Sequence, residues 1–341
     1  MSNQPTSTRV VTLASRPTGE PGPENFAVIE QPLPPLGEGQ LLVRNIYMSV
    51  DPAMRGRMEP TEKHYTTNFE VGGPLDGSAL GEVVVGAPGF EVGTVVRHRL
   101  GWRDYALVDS AAATIVHPNL APLPDWLGIL GQTGFTAYVG LVRAGGLEKG
   151  DTVFISAAAG AVGSSAGQFA RLLGADRVIG SAGGPDKAAL LERELGYDAG
   201  IDYRADLRGG LADAAPDGID LYFDNVGGDH LVAALYALRE RGRVALCGMI
   251  SDLRDRESSP PISHLIQATL KRLTIQGFIV RDHEDLRPEF EQRVSEWLRS
   301  GEVTSRATIT DGLEHAADAF LAMLAGANVG KALVRIGGDP S

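Results

Sequence analysis

The sequence predicts an α/β protein in two parts, a doubly wound parallel sheet and a smaller, β-rich, barrel-like domain. Three observations carry that prediction. The chain has 341 residues, 43% hydrophobic and 22% charged, which is enough for two separate cores. Residues 1–125 hold short alternating runs broken by Gly and Pro. Beyond Pro124, apolar strand-like runs alternate with helix-like segments.

In the first part, alternation marks strands at Arg9–Leu13, Gln40–Tyr47, Leu80–Val85, Thr94–Arg99 and Arg103–Val108. Pro32, Pro34, Gly37, Gly39, Gly72, Pro74 and Pro88 separate them. Asp125–Val142 then reads as a helix, stopped by Gly145 and Gly146. Strands follow at Val153–Ser156, Arg177–Ser181, Gly200–Asp202, Leu221–Asn225, Gly242–Cys247 and Leu273–Gly277. Helices fall between them at Ser164–Leu173, Pro185–Leu195, His230–Leu238 and Pro261–Lys271. Strands spaced by helices in this way build a parallel sheet. Glu289–Ser300 adds a helix, and Leu313–Ala325 and Lys331–Ile336 supply a last helix and strand.

The net charge of -12 argues against nucleic acid or an anionic membrane as the main partner. No apolar run approaches the ~20 residues needed to cross a bilayer. The polar segment Met1–Pro23 lacks the apolar core of a signal peptide, so a cytoplasmic location is expected. The one cysteine, Cys247, forbids an intrachain disulfide and a four-cysteine zinc site. The seven histidines are scattered and form no H-E-x-x-H pair, so no metal site is expected.

The run Val153–Gly163 (VFISAAAGAVG) is a strand feeding a glycine turn, and Ser164–Gly174 continues it as a helix. This is the strand–turn–helix of a dinucleotide site. At Gly160 the missing Cβ lets the backbone approach a pyrophosphate, and Gly163 lets the helix pack close to its strand. The helix N-terminus, with Ala161 and Val162, offers N–H groups and partial positive charge to the phosphates. Ala158 stands where the usual pattern has its first Gly, and a βαβ turn without a nucleotide stays open on this motif alone. An NAD enzyme usually places an acid about 20 residues past the first glycine position. Here that stretch is Val178–Gly184, with none. Lys187, and Tyr203 with Arg204 past the next strand, suit a 2′-phosphate, which points to NADPH. The alternative for Lys187 is a solvated helix face.

Ser156–Gly163, Lys187, Tyr203, Phe223–Gly228 (FDNVGG), Cys247–Ser251 (CGMIS) and Asn328–Lys331 (NVGK) resemble the zinc-free medium-chain dehydrogenase/reductases. Within them the chain is most similar to the prostaglandin reductase, curcumin reductase and alkenal double-bond reductase subgroup. Met48–Arg55 (MSVDPAMR) and Leu130–Gly140 (LGQTGFTAYVG) fit as well. The resemblance spans nearly the whole chain, with the motifs in order. It implies a GroES-like domain from residues 1–125 and 302–341, and a Rossmann domain at 126–301 that binds NADPH. The C-terminal helix and strand would thus rejoin the β-rich part.

Residue by residue, the resemblance implies that Gly160, Ala161, Val162 and Gly163 hold the pyrophosphate, and Lys187 and Tyr203 the 2′-phosphate side. Asn225 would lie beside the cofactor. Cys247, Gly248, Met249, Ile250 and Ser251 would pass the nicotinamide half, Phe278, Ile279 and Val280 would contact the nicotinamide, and Asn328 would reach the cofactor from the C-terminal segment. The implied reaction is hydride transfer to the β-carbon of an α,β-unsaturated ketone or aldehyde, with hydrogen-bond donors steadying charge on the carbonyl oxygen. A homodimer is expected by analogy.

Plainer readings stand beside these. Asp224–Gly228 is also a strand end with a glycine turn, and Cys247 reads as a small buried hydrophobe. Met48–Arg55 reads as a turn tied by Asp51 and Arg55, Tyr138 as a helix-packing residue, and Asp252–Glu257 as a solvated loop or a mobile cover for the cleft. The chain has Ala53 and Leu253 where relatives carry tyrosines, and Gln132–Thr133 in place of an apolar pair. No proton donor is thereby named, and Arg55 and Tyr65 are the pocket candidates left. Two further readings remain open: an NADPH quinone reductase, and a protein that binds NADPH without turnover.

Overall fold

The computed structural model describes residues 4–60, 66–248, 250–251 and 264–338. Of the expected site residues, Tyr65 and Met249 lie outside these, as do Asp252–Glu257 and the first residues of the Pro261–Lys271 helix. Along the chain run β1 (Ser7–Leu13), β2 (Phe26–Pro32), β3 (Gln40–Ser49), α1 (Ala53–Arg57), β4 (Ala79–Val85), β5 (Val95–His98), β6 (Tyr105–Asp109) and β7 (Thr114–Ile115). Next come α2 (Gln132–Val139), β8 (Thr152–Ile155), α3 (Ala161–Leu172), β9 (Arg177–Ala182), α4 (Pro185–Glu194), β10 (Ala199–Asp202), α5 (Tyr203–Ala214), β11 (Ile219–Asp224), α6 (Gly228–Ala237) and β12 (Leu238–Leu246). The chain continues through α7 (Ile266–Lys271), β13 (Thr274–Gly277), α8 (Arg287–Ser300), β14 (Ala307–Asp311), α9 (Ala316–Leu324) and β15 (Lys331–Arg335). It divides into two compact units, Met1–Leu127 with Ala307–Ser341, and Gly128–Arg306.

The second unit holds a parallel six-stranded sheet in the order β10-β9-β8-β11-β12-β13. The order reverses between β8 and β11, which in such sheets is the crevice where a ligand sits, at the strands' carboxyl ends. Fully buried Phe154 and Tyr222 stack at 5.1 Å within its core, beside Ile179, Leu231 and Leu235. Strands buried on both faces read as the continuous apolar runs seen in the sequence.

The first unit is a mixed sheet in the order β14-β15-β3-β4-β5-β7, with β6 also on β3, and a separate β1-β2 pair. β15 pairs antiparallel with β3, Leu333 opposite Ser49, so the chain's last strand joins the sheet that β3 opens in the N-terminal part. A core of Trp102, Phe320, Met48, Met54 and Leu13 fills one side, with Phe26 stacked on Trp102.

Differences from the sequence reading have local causes. The single helix expected over Asp125–Val142 is a 3₁₀ turn at Leu123–Trp126, then α2, then a π turn at Gly140–Ala144. At Gly134, in the first turn of α2, a Cβ would fall 1.8 Å from the Ile129 carbonyl oxygen, so the segment ahead of the helix lies against its first turn and does not continue it. Helix α5 was missed because Gly209 and Gly210 dilute its pattern, and Asp206 breaks its dihedrals. Strands β2 and β14 were missed because both are largely exposed and lack a buried face. Among the described residues no helix is long and apolar enough to cross a membrane.

Candidate functional site: a nucleotide cradle at the sheet reversal

The cradle grows from β8. Its last residues lead into Ser156 and Ala157, the latter at φ +48°, and Gly160 becomes the N-cap of α3. At Gly163 an added Cβ would sit 2.4 Å from the Ala157 carbonyl oxygen and 2.6 Å from the Ala158 Cα, so this glycine is demanded by helix–strand packing. Gly160 is different. Its φ of -81° suits any residue, and its nearest neighbour would be 3.2 Å away. The chain's own packing barely explains that glycine, whereas a phosphate approaching the first N–H groups of α3 does. The turn therefore fits a bound pyrophosphate.

A buried carboxyl organises the neighbouring loops. The Asp224 Oδ1 accepts hydrogen bonds from the Tyr222 hydroxyl (2.7 Å), the Val226 N–H (2.9 Å) and the Gly227 N–H (2.8 Å). The Asn225 N–H donates to the Ser156 Oγ, and its side-chain amide donates to the Ser156 carbonyl at 2.8 Å. The backbone N–H groups of Cys247 and Gly248 donate to the Asp224 carbonyl. The loops after β8, β11 and β12 are thus tied at one point. Gly227 and Gly228, at φ +75° and +48°, supply the backbone this turn requires. Burial raises the Asp224 carboxyl against the hydrogen bonds that lower it. Burial, then the charge of Asp224, pushes the Cys247 thiol up to about 12. A thiol held protonated in this way is no nucleophile. Ile250 and Ser251 fold back on the turn, the Ser251 hydroxyl donating to the Val226 carbonyl at 2.6 Å.

At the ends of β9 and β10 the expected phosphate residues come together. The Cβ position of Gly183 lies 3.1 Å from both the Tyr203 hydroxyl and the Arg204 Nε. Lys187, on the first turn of α4, is close enough to feel the charge of Arg204. Burial first, then that charge, lowers its proton affinity. The Asp202 carboxylate takes the N–H groups of Gly184 (2.8 Å) and Arg204 (3.0 Å), fixing the two loops against each other. Tyr203 is braced edge-on by the His230 ring at 5.0 Å. The imidazole of His230, in the first turn of α6, is pushed down to about 4, chiefly by burial, and stays neutral at neutral pH. Sequence reading missed His230 and the hub role of Asp224. The one available signal was the D-N-V-G-G run at a strand end.

The remaining candidates are placed as follows. Phe278 packs edge-on against Phe223 at 6.5 Å, with Ile279 and Val280 directly after it past β13. In the same unit, Gln132 accepts from Arg287 at 3.4 Å, and the guanidinium lies 3.8 Å over Phe135. Tyr138 donates to Glu289 at 2.7 Å, a helix-to-helix tie. Asn328 belongs to the first unit, where its amide donates to the Gly330 carbonyl. Arg55 is buried there, donating to Glu59 at 2.5 Å and to the Gly19 carbonyl at 2.8 Å. The expected Asp51–Arg55 tie is corrected: Asp51 pairs instead with buried Lys331, at 2.7 Å. That partner lies 280 residues away and could not be foreseen from spacing.

Comparisons with known proteins agree with this geometry. Residues 9–116 match the family described as the N-terminal domain of oxidoreductase, and residues 161–299 match the one described as zinc-binding dehydrogenase. The NADPH-dependent curcumin reductase of Escherichia coli is 39% identical, over 99% of this chain and 100% of that one. The NADP(+)-dependent 2-alkenal reductase of Nicotiana tabacum is 38% identical, over 89% of each chain. The crystal structure of CurA from Vibrio vulnificus in complex with NADPH superposes with a TM-score of 0.90 at 38% identity, covering 97% of this chain and 99% of that one. The chain belongs to the medium-chain dehydrogenase/reductase family, in the branch that includes the curcumin and alkenal reductases, and combines a Rossmann sheet with a GroES-like domain.

Proposed function

We propose that this chain is an NADPH-dependent reductase of carbon–carbon double bonds conjugated to a ketone or aldehyde. The observation that carries the reading is the end of β9, which has no acid of its own and where Tyr203 and Arg204 meet Gly183 while Lys187 lies near enough to feel the charge of Arg204. The names of the curcumin and alkenal reductases that it resembles support the substrate class. Bound NADPH supplies the hydride for the β-carbon. The protein's own residues bind and orient the cofactor. Gly160 opens the backbone to the pyrophosphate, and the first turn of α3 meets its charge. Lys187 and Tyr203 hold the 2′-phosphate side. Asp224 locks the loops carrying Ser156, Asn225 and Cys247 into one surface, which keeps the cradle preorganised before the cofactor arrives. Cys247 serves as neither base nor nucleophile, since burial keeps its thiol protonated.

A homodimer belongs to the same reading. Among the described residues no strand pairs with the outer edge of β13, and Leu265, Ile266 and Leu270, at the helix that leads into it, are exposed. An open edge flanked by apolar side chains suits a second copy of the chain. Light scattering on the purified protein checks the mass.

The deciding experiment is cofactor oxidation against a panel of enones, alkenals and quinones, with NADPH and NADH in parallel. Turnover of enones or alkenals with NADPH is the expected result. Equal rates with NADH overturn the cofactor assignment, and turnover of quinones alone overturns the substrate class.

A further inference from the structure

We propose that Gly140, in the π turn after α2, is a positioning residue for the nicotinamide half of the cofactor: its bare backbone lets two phenylalanine rings close over it, and this sets where the loop after β13 stands. The inference rests on the NADPH reading and goes beyond it. The π turn spans Gly140–Ala144, and the Gly145 N–H donates to the Gly140 carbonyl at 2.8 Å. Gly140 has φ -63° and Gly145 φ -80°, helical values that any residue adopts. Neither glycine is demanded by its backbone conformation; both are demanded by space. At Gly145 a Cβ would lie 3.0 Å from both methyl carbons of Leu221. At Gly140 it would lie 2.6 Å from the Cζ of Phe223 and 2.8 Å from the Cζ of Phe278. Leu221 and Phe223, two residues apart on β11, share one face of the strand. The turn therefore lies along that face, with Gly140 at the strand's carboxyl end.

That end is where the reacting half of the cofactor belongs. A dinucleotide lies across the reversal of such a sheet with one nucleotide over each half. The adenosine side falls at β9 and β10, beside Lys187 and Tyr203, so the other nucleotide falls over the carboxyl ends of β11, β12 and β13. The two rings that meet at Gly140 sit at the roots of two loops there. Phe223 runs straight into Asp224 and Asn225, and Phe278 into Ile279 and Val280. The rings pack edge-on at 6.5 Å. They do not yield equally. Phe223 is fully buried, its carbonyl takes the Ser156 N–H at 3.2 Å, and the Asp224 hub follows it. Phe278 is half-buried and lies past the last strand of the sheet. A methyl group at position 140 therefore displaces Phe278 and the loop it opens. Gly145 touches β11 two residues further back and has no such lever. Hydride transfer needs its reacting atoms aligned closely, and an error near 1 Å costs on the order of 100-fold in rate. Interrupted helices of this kind are frequent at functional sites.

The test is calorimetric binding of NADPH and of 2′,5′-ADP, which lacks the nicotinamide half, to wild type, Gly140→Ala, Gly145→Ala, Phe278→Leu and the double variant Gly140→Ala/Phe278→Leu. For Gly140→Ala the Kd for NADPH rises by about tenfold or more, while that for 2′,5′-ADP stays put. Gly145→Ala lowers the urea midpoint but keeps the wild-type ratio of the two constants. Phe278→Leu added to Gly140→Ala makes room for the methyl and recovers part of the NADPH affinity. If Gly140→Ala does not fold, Phe278→Leu alone carries the test, weakening NADPH and leaving 2′,5′-ADP unchanged. With an enone that wild type reduces, kcat of Gly140→Ala falls by roughly 10- to 100-fold, and the isotope effect from NADPH deuterated at the transferred position grows. Equal weakening of NADPH and 2′,5′-ADP, or a Gly145→Ala variant that changes the ratio as much as Gly140→Ala, reduces Gly140 to a packing residue and overturns the inference while the NADPH reading stands. An unchanged ratio in Phe278→Leu also overturns it. A wild-type protein that binds 2′,5′-ADP no more tightly than 5′-AMP refutes the NADPH reading, and the inference with it.

Discussion

The interior of each unit is fixed by different means. In the parallel-sheet unit, the positions around the cradle are set by main chain and small residues. Gly163 lets α3 lie against its strand, Gly227 and Gly228 make a turn that other residues resist, and the Asp224 carboxylate gathers N–H groups from two to three residues ahead. In the mixed-sheet unit, comparable positions are set by long charged side chains reaching across the sequence. Arg57 makes a bidentate pair with Asp76 while lying 3.9 Å over the Phe69 ring. Arg44 pairs with Glu82, and Lys331 with Asp51. Constraints of the first kind are local in sequence and recur as motifs, whereas those of the second exist only after the chain has folded.

The contrast breaks most sharply at the glycines. Gly163→Ala forces a methyl into the backbone of Ala157 and Ala158. It should destabilise the protein by about 3 kcal/mol, the upper range for overpacking, and abolish NADPH binding with it. Gly160→Ala meets one neighbour at 3.2 Å, at an ordinary φ. Stability should change by less than about 1 kcal/mol, while NADPH affinity falls by about tenfold or more through the lost close approach. Urea titration and calorimetric binding on both variants separate the two roles. Equal stability losses in the pair would show that Gly160 serves packing as well.

In the mixed-sheet unit the matching variant is Lys331→Met. The Lys331 side chain is 4% exposed and that of Asp51 31%, and the ammonium also donates to the Val50 carbonyl. Burial raises the Asp51 carboxyl, but Lys331 and the Ser49 hydroxyl more than offset this and hold it below the usual range. Removing the cation strands the carboxylate and should cost about 3 kcal/mol, near the low end for a broken buried pair because Asp51 keeps some water. The double variant with Asp51→Asn should lose less than Lys331→Met alone. Additive losses in the denaturation midpoints would mean that the two residues do not act as a pair.

What could be read from the sequence follows the same division. The strand–turn–helix at Val153–Gly163 was legible because it expresses a short-range rule, and the structure sets Tyr203 and Arg204 against Gly183 with Lys187 near Arg204. The alternation of strands and helices gave the parallel sheet, because buried parallel strands are apolar throughout. Three features show why others were not legible. Helix α5 carries two glycines and an interior break, so its pattern competes with a loop. Asp51 offered a nearby arginine as its partner, and only the pairing of β15 with β3 brings Lys331 there instead. His230 looked like any residue in a helix start until its ring was seen against Tyr203.

Two buried histidines, one in each unit, sharpen the comparison through pH. His98 is pushed down to about 3, first by burial and then by the charge of Arg103, and His230 to about 4. The unfolded chain takes up these protons near pH 6.5. Stability from each imidazole is therefore complete above that pH and is lost as the pH falls, towards 3 for His98 and towards 4 for His230. Between pH 6.5 and 5 the loss is about 2 kcal/mol per group. The His98 Nδ1 accepts the Leu100 N–H, so His98→Asn can keep an acceptor there. The expected result is a urea midpoint that drops less from pH 7 to pH 5 in His98→Asn than in wild type. Parallel drops in the two proteins would remove His98 as a source of acid sensitivity.

The smallest expected effect tests whether a lysine clamp in the parallel-sheet unit is equivalent to the one at Lys331. The Lys271 ammonium donates to the carbonyls of Leu235 (3.1 Å), Tyr236 (2.6 Å) and Leu238 (2.7 Å), closing the C-terminal end of α6. A cation there satisfies carbonyls that the helix leaves open and meets the negative end of its dipole. Its partners are neutral and the site is partly solvated, so Lys271→Met should cost about 1 kcal/mol, well below the loss at Lys331. The N-terminal turn of α6 carries Gly228 and His230, so NADPH binding reports whether the strain travels along the helix. An unchanged Kd with a lowered midpoint is expected, because water can satisfy the exposed carbonyls while Asp224 and the glycine turn fix the other end. A loss at Lys271 as large as that at Lys331 would mean that side-chain clamps matter equally in both units, and that the glycines alone do not define the cradle.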